Sequence, residues 1–310
     1  MSCKITSLKK SDIHEIEMDL TGTCNLQCPL CTRNYAHAQH LIKKHIRPLS
    51  EITKQLDEFE NLELFYMAGN FSEPTLYPEI FGLCKYLVDR GVAIDLFTNG
   101  STKNPEFWAE LGKILSHEDK VYFTICGSNQ ELHEKYRVGS KLEKILENHR
   151  AFKNACEHPI DYIQHIKFEY NAQDLESKEM KAIINRFSKI YFVDTEGQRT
   201  FNEYVKSFNS NDVRPEDERK RAIDALFKIK PSPGEEVEIK CMSLRDRKIY
   251  INQFGEISPC YGHAEFEGPG HFSGDVFDYG EVLSFKYKDC FKCEKRIQKL
   301  IEVMGLDFVC

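Results

Sequence analysis

Between Glu15 and Val193 short apolar runs alternate with amphipathic stretches of helical length, and this rhythm restricts the chain to few folds. The runs EIEMDL (15–20), LELFYM (62–67), VAIDLF (92–97), KVYFTI (120–125), IKFEY (166–170) and KIYFV (189–193) read as strands. Helical patterns lie near 50–59, 78–89, 105–116, 142–155 and 175–187; Pro78 and Pro105 stand at two of the starts, and Gly91 just past one end. Strands separated by helices pair in parallel through right-handed crossovers. Six of them predict a partial (β/α)6, TIM-like barrel, whose site residues fall in loops after the carboxyl ends of strands.

The 310 residues are 41% hydrophobic and 29% charged, an ordinary globular balance with room for a large core. No run of membrane-spanning length occurs, and MSCKITSLKKSDIHEIEMDL lacks a signal-peptide core, so the sequence predicts a cytoplasmic protein without a membrane partner. A net charge of −7 argues against nucleic acid, and the basic run Arg219–Arg221 sits among acids as a solvated helix face. Residues 196–236 break the rhythm and read as a polar connector, with a helical piece near 215–229. They divide a first domain (1–195) from a cysteine-rich one (237–310) that opens on a hairpin pattern, KIYINQFGEISPC.

Twelve cysteines in a cytosolic chain point to metal or redox chemistry rather than disulfides. Three fall between positions 24 and 31, and five from 241 onward; Cys84 and Cys156 sit on helical patterns as small buried residues. Cys24-Asn-Leu-Gln-Cys28-Pro-Leu-Cys31 follows the first strand directly, and three thiolates on one loop can hold three corners of a cubane cluster, leaving one iron open. A zinc site is the alternative, with His37 or His40 as fourth ligand.

This C-x3-C-x2-C after the first strand of a β/α barrel resembles the signature of the radical S-adenosylmethionine (SAM) superfamily, with Leu30 standing where that family usually has an aromatic residue. The resemblance implies a [4Fe–4S] cluster whose open iron binds SAM, and reductive cleavage of SAM to a 5′-deoxyadenosyl radical that takes a substrate hydrogen. It also implies a flavodoxin- or ferredoxin-type electron donor. Met67-Ala-Gly69-Asn70-Phe-Ser-Glu73-Pro74 resembles the family's glycine-rich motif, which implies backbone and Glu73 contacts to the SAM ammonium. Thr98 and Asn99 follow strand three, where relatives contact the SAM ribose or the substrate. Strand four ends in Thr124-Ile-Cys126-Gly, where relatives often read S-[IL]-D-G, and His133-x-x-Tyr136-Arg137 resembles a segment of the peptide-modifying branch, implying an Arg137 contact to the SAM carboxylate. Asn171, after strand five, reads as a ribose contact or a turn asparagine. Cys126 reads either as a small packing residue or as a thiol that donates a hydrogen atom to a product radical.

Cys241, then Gly255-x4-Cys260, then Cys290-x2-Cys293 resemble the order of a twitch domain, the short form of the SPASM domain, an α+β unit. That implies an auxiliary [4Fe–4S] cluster on Cys241, Cys260, Cys290 and Cys293; a zinc ribbon is the alternative. Cys310 reads as a frayed free thiol at the terminus, a substitute ligand or a reactive group. The expected function is hydrogen abstraction from a peptide, as in crosslinking, epimerisation or oxidation. About fourteen residues before the first strand leave no room for a fused leader-peptide domain, so a peptide substrate needs either a separate leader-binding partner or direct docking. The alternatives are dehydrogenation or rearrangement of a small polar molecule such as an amino sugar, or a non-enzymatic zinc-binding or redox-sensing role.

Overall fold

A computed structural model describes residues 7–29, 31–34, 41–157, 160–194, 246–258, 276–278 and 282–285. The described strands are β1 (Ser7–Lys9), β2 (Glu15–Met18), β3 (Leu64–Met67), β4 (Ala93–Thr98), β5 (Lys120–Thr124), β6 (Asp161–Lys167), β7 (Lys189–Asp194), β8 (Lys248–Ile251), β9 (Ile257–Ser258), β10 (Val276–Asp278) and β11 (Val282–Phe285). The described α-helices are α1 (Leu49–Leu56), α2 (Ile80–Asp89), α3 (Pro105–Ile114), α4 (Gln130–Tyr136), α5 (Leu142–Ala155) and α6 (Lys178–Ile184).

One sheet runs in the order β7-β6-β5-β4-β3-β2-β8-β9, parallel from β7 to β8 and antiparallel only at β9. A smaller antiparallel sheet has the order β1-β11-β10. The six strands expected between 15 and 193 are all present in parallel array, as the α/β reading requires. The hairpin of KIYINQFGEIS forms as β8 and β9, but it lies on the main sheet, where β8 pairs with β2 from Glu15↔Lys248 to Met18↔Ile251.

Alternate residues of each strand face opposite ways. One set (Ile16, Met18, Phe65, Met67, Ile94, Leu96, Val121, Phe123, Ile163, Ile249, Ile251) packs with Leu56, Leu83, Trp108, Leu111, Ile145 and Phe152 from the helices into a single buried cluster. Each such side chain contributes about 1.5–3 kcal/mol, so this face dominates stability. The other set is polar and aromatic. Tyr250, Glu17, Tyr66, Asp95 and Lys120 stand in register across five strands, with Lys248 paired to Glu17 at 2.8 Å and Lys120 to Asp95 at 3.3 Å. Two residues further along, Phe97 stacks on Tyr122 at 4.1 Å and Tyr122 on Tyr162 at 4.6 Å.

Two elements differ from the sequence reading. β6 starts at Asp161 rather than near 166, because its helix-facing positions include two polar residues that break the apolar pattern. Asp161 is buried against His149 at 2.6 Å, and His165 Nδ1 bonds the Ile125 carbonyl oxygen at 2.7 Å. α4 went unread because QELHEKY is short and polar and its one buried residue is His133.

α3 and α5 touch backbone to backbone at Gly112, where an added Cβ would lie 2.6 Å from the Phe152 carbonyl oxygen. Gly112→Ala is expected to cost about 1–3 kcal/mol by overpacking, read by urea denaturation. At the end of β2, Asp19 accepts hydrogen bonds from Phe71 N (3.1 Å), Ser72 Oγ (2.6 Å) and Tyr250 Oη (2.8 Å), tying β8 and the loop after β3 to β2. Burial pushes this carboxyl up from 3.8 to about 6, against the pull of those bonds. A folded pKa above the unfolded one gives stability that is full below the unfolded value and lost as pH rises through the folded one. Between pH 4 and pH 7 the wild type is therefore expected to lose about 2 kcal/mol relative to Asp19→Asn, whose amide oxygen can accept from Phe71 N and Ser72 Oγ and whose NH2 can donate to the Tyr250 oxygen, in unfolding titrations at the two pH values.

Candidate active site

The loop after β2 carries all three clustered cysteines. Cys31 N donates to the Cys28 carbonyl oxygen at 3.1 Å and Asn34 N to that of Cys31 at 3.0 Å, while Asn34 Nδ2 donates to Cys28 O at 2.9 Å. These bonds curl the chain so that its thiols share one compact turn. Arg33 Nη1 donates to Gly22 O at 2.9 Å and also to Phe71 O, clamping the turn to the loop after β3. The thiols of Cys24, Cys28 and Cys31 are free of disulfides, with Cys28 buried. Burial pushes the Cys24 thiol up to about 11, with the Glu73 charge adding to it, and burial raises Cys28 as well; Arg137 opposes the rise at both. Iron would enter by displacing protons from these thiols.

The glycine-rich loop follows β3. Gly69 has a φ of +63°, and a Cβ there would lie 2.5 Å from the Ser72 carbonyl oxygen, so the turn requires glycine. Glu73 is 3% exposed and shares its carboxylate among Thr98 Oγ1 (2.6 Å), Thr75 Oγ1 (2.7 Å) and Asn99 N (2.8 Å). Pro74 opens the short turn that follows. Asn70 Nδ2 donates to Glu17. Asn99 Nδ2 reaches Cys24 Sγ at 3.9 Å and Asn25 Oδ1 at 2.8 Å, placing a donor beside that sulfur.

Thr124 Oγ1 bridges to Thr98 O (3.2 Å) and Gln164 Oε1 (2.8 Å). Beyond it Cys126 is fully buried, and burial raises its thiol to about 11. Its amide donates to His133 Nδ1 at 3.2 Å, and His133 Nε2 meets Ser140 Oγ at 2.9 Å. Burial pushes His133 down to about 3, so the ring is neutral, accepting at Nδ1 and donating at Nε2. This explains the first residue of the H-x-x-Y-R pattern: it anchors α4 to the end of β5. Gly127 permits the approach, since a Cβ there would lie 2.6 Å from His133 N. Gln27 N then donates to Val138 O at 3.1 Å, so the α4 end and the cysteine turn are bonded directly.

Arg137 stands where these pieces meet. Its guanidinium is only partly exposed, its Nε is buried without a partner, and it forms no ion pair among the described residues. Burial opposes its charge, and the sulfurs of Cys28, Cys126 and Cys24 with the Tyr136 oxygen, where ionised, favour it by more. An uncompensated cation facing a thiol-bearing turn fits a site built for an anionic metal–thiolate group and an anionic ligand. Among the described residues no three His, Cys, Asp or Glu side chains converge on a single metal ion; a cubane takes one thiolate per iron and needs no such convergence.

The structure thus brings together Cys24, Cys28, Cys31, Glu73, Asn99, Cys126 and Arg137. Asn171 is occupied by backbone: its Oδ1 accepts from Phe168 N at 2.7 Å, and its Nδ2 donates to Cys126 O and Ile166 O, each at 3.0 Å. Cys241, Cys260, Cys290 and Cys293, with the connector and Cys310, lie outside the described residues. Sequence reasoning missed Asp19 and Tyr170. Asp19 follows the period-two alternation of Glu15 and Glu17, a signal that could have found it; Tyr170 belongs to no pattern.

A family model, the radical SAM superfamily, matches residues 18–176. The tungsten-containing aldehyde ferredoxin oxidoreductase cofactor-modifying protein of Pyrococcus furiosus is 27% identical over 108 residues, 35% of this chain and 29% of that protein. The mycofactocin maturase MftC of Mycolicibacterium smegmatis is 30% identical over 140 residues, 44% of this chain and 32% of its own length. The matched stretch therefore spans about a third of these relatives. The crystal structure of Streptococcus suis SuiB bound to precursor peptide SuiA shares the fold at a TM-score of 0.57 and 15% identity, over 82% of this chain and 61% of that one. The family match spans just over half the chain and contains both the cysteine turn and Arg137: the protein belongs to the radical SAM superfamily.

Proposed function

We propose that the protein abstracts a hydrogen atom from a peptide, using a [4Fe–4S] cluster on Cys24, Cys28 and Cys31 with SAM at the open iron. The observation that carries this reading is Arg137, whose buried Nε has no partner and which makes no ion pair among the described residues, within electrostatic reach of the three clustered thiols' turn. When bound, cluster and SAM supply a 5′-deoxyadenosyl radical. The chain's own residues do the rest. Arg137 holds the SAM carboxylate. The backbone of Gly69–Pro74 approaches the SAM amino group, with Glu73 fixing that loop through Thr98 and Asn99. Asn99 donates toward the Cys24 sulfur, which favours a thiolate there. The peptide substrate is supported by MftC, named a maturase, and by SuiB, seen with a precursor peptide.

Cys126 is the candidate hydrogen-atom donor to a product radical, since burial keeps its thiol neutral at physiological pH. Cys126→Ala is expected to keep forming 5′-deoxyadenosine while product formation falls at least tenfold; unchanged product assigns the residue to packing. Cys241, Cys260, Cys290 and Cys293 hold an auxiliary [4Fe–4S] cluster in this reading. Anaerobic reconstitution is then expected to give about eight irons per chain in the wild type and about four when these four are replaced by alanine.

The substrate class is tested with deuterated fractions. Reduced enzyme and SAM are mixed with either the peptide or the small-molecule fraction of a deuterated cell extract, and 5′-deoxyadenosine is analysed by mass spectrometry. Deuterium arriving from the peptide fraction is expected. Deuterium arriving from the small molecules alone rejects the peptide assignment.

A further inference from the structure

We propose that Tyr170 and Arg137 form a two-donor site for the carboxylate of SAM, with Tyr170 supplying a ligand contact that no sequence motif marks. Buried donors are almost always paired, because an unmade hydrogen bond costs the full desolvation of the group. Two donors escape this rule near Cys126: among the described residues, Arg137 Nε and Tyr170 Oη are both buried and neither has a partner. The Arg137 charge acts on the Tyr170 hydroxyl, and both groups lie within electrostatic reach of Cys126 and Cys28. The Tyr170 hydroxyl is held in its neutral, donating form by burial and then by Cys126, while the Arg137 charge and Cys28 also act on it.

The ring of Tyr170 is fixed independently of any ligand. Phe168 stacks on it at 5.4 Å with an interplanar angle of 11°, and in turn meets Tyr136 at 4.6 Å. The Lys135 ammonium sits 4.8 Å from the Tyr170 ring centroid. Asn171 locks the backbone of this segment to Cys126 and Ile166. The last turn of α4 and the segment after β6 therefore bring a guanidinium and a phenol within electrostatic reach of Cys126, with Arg137 Nε and Tyr170 Oη unspent among the described residues. A charged donor beside a neutral one suits an anionic acceptor with two oxygens, and the proposed function provides one, the amino-acid carboxylate of SAM.

The proposal rests on SAM binding as read above, and Tyr170→Phe tests it through two readouts other than turnover. In the protein without cluster or SAM, removing an unpaired buried hydroxyl is expected to leave the melting temperature equal to the wild type or above it. In the reconstituted protein, the dissociation constant for SAM is expected to rise about tenfold, the worth of one hydrogen bond to a charged group. Decarboxylated SAM is expected to bind wild type and variant alike. Equal SAM affinity in the two proteins, an equal loss for decarboxylated SAM, or a lower melting temperature of the cluster-free variant overturns the role of Tyr170 while leaving the SAM site standing. A wild type that binds no SAM overturns both.

Discussion

The buried carboxylate of Glu73 is the joint on which the site depends. It gathers Thr98 and Asn99 from the end of β4, and its own amide donates to the Thr23 carbonyl oxygen at 2.7 Å, one residue before Cys24. Three loops that leave three adjacent parallel strands are thereby held as one surface. A parallel sheet brings the carboxyl ends of its strands to one edge but does not set the positions of the loops beyond them. Here charge-assisted hydrogen bonds in a dry setting do that, where each counts for more than it would in water.

A second set of bonds completes the enclosure from the other side. His133 ties α4 to the end of β5, Gln27 ties the α4 end to the cysteine turn, and Asn171 ties the segment after β6 to Cys126. The residues that touch ligand in the proposed reading are few. The polar residues that place them are more numerous and almost all internally satisfied. Arg137 and Tyr170 stand out against that background because their donors are not.

The legibility of this arrangement in the sequence follows from how local each signal is. The cysteine turn was readable because its three ligands lie on one short loop with a spacing set by cluster geometry. β2 to β5 were readable because their helix-facing residues are aliphatic or aromatic; β6 was misplaced because Asp161 and His165 occupy the same face and are neutralised only by tertiary partners, His149 and the Ile125 carbonyl. Glu73 was found by its motif, but the use of its carboxylate was not, since Thr98 and Asn99 meet it only once β3 and β4 pair. Asn171 reads as a ribose contact or a turn asparagine, and its side chain bonds backbone as the second reading has it; the unspent group is one residue earlier. Sequence spacing cannot separate such neighbours, because the difference lies in which of them finds a partner.

The central claim is that the Cys24–Cys28–Cys31 turn and Arg137 form one site in which SAM reaches an open iron. Electron paramagnetic resonance of the reconstituted, dithionite-reduced enzyme tests this most directly. The account predicts a [4Fe–4S]+ signal whose g-values shift when SAM is added, with the shift lost in Arg137→Ala at SAM concentrations that saturate the wild type. A signal that is indifferent to SAM in the wild type, or a shift that persists unchanged without Arg137, would contradict it.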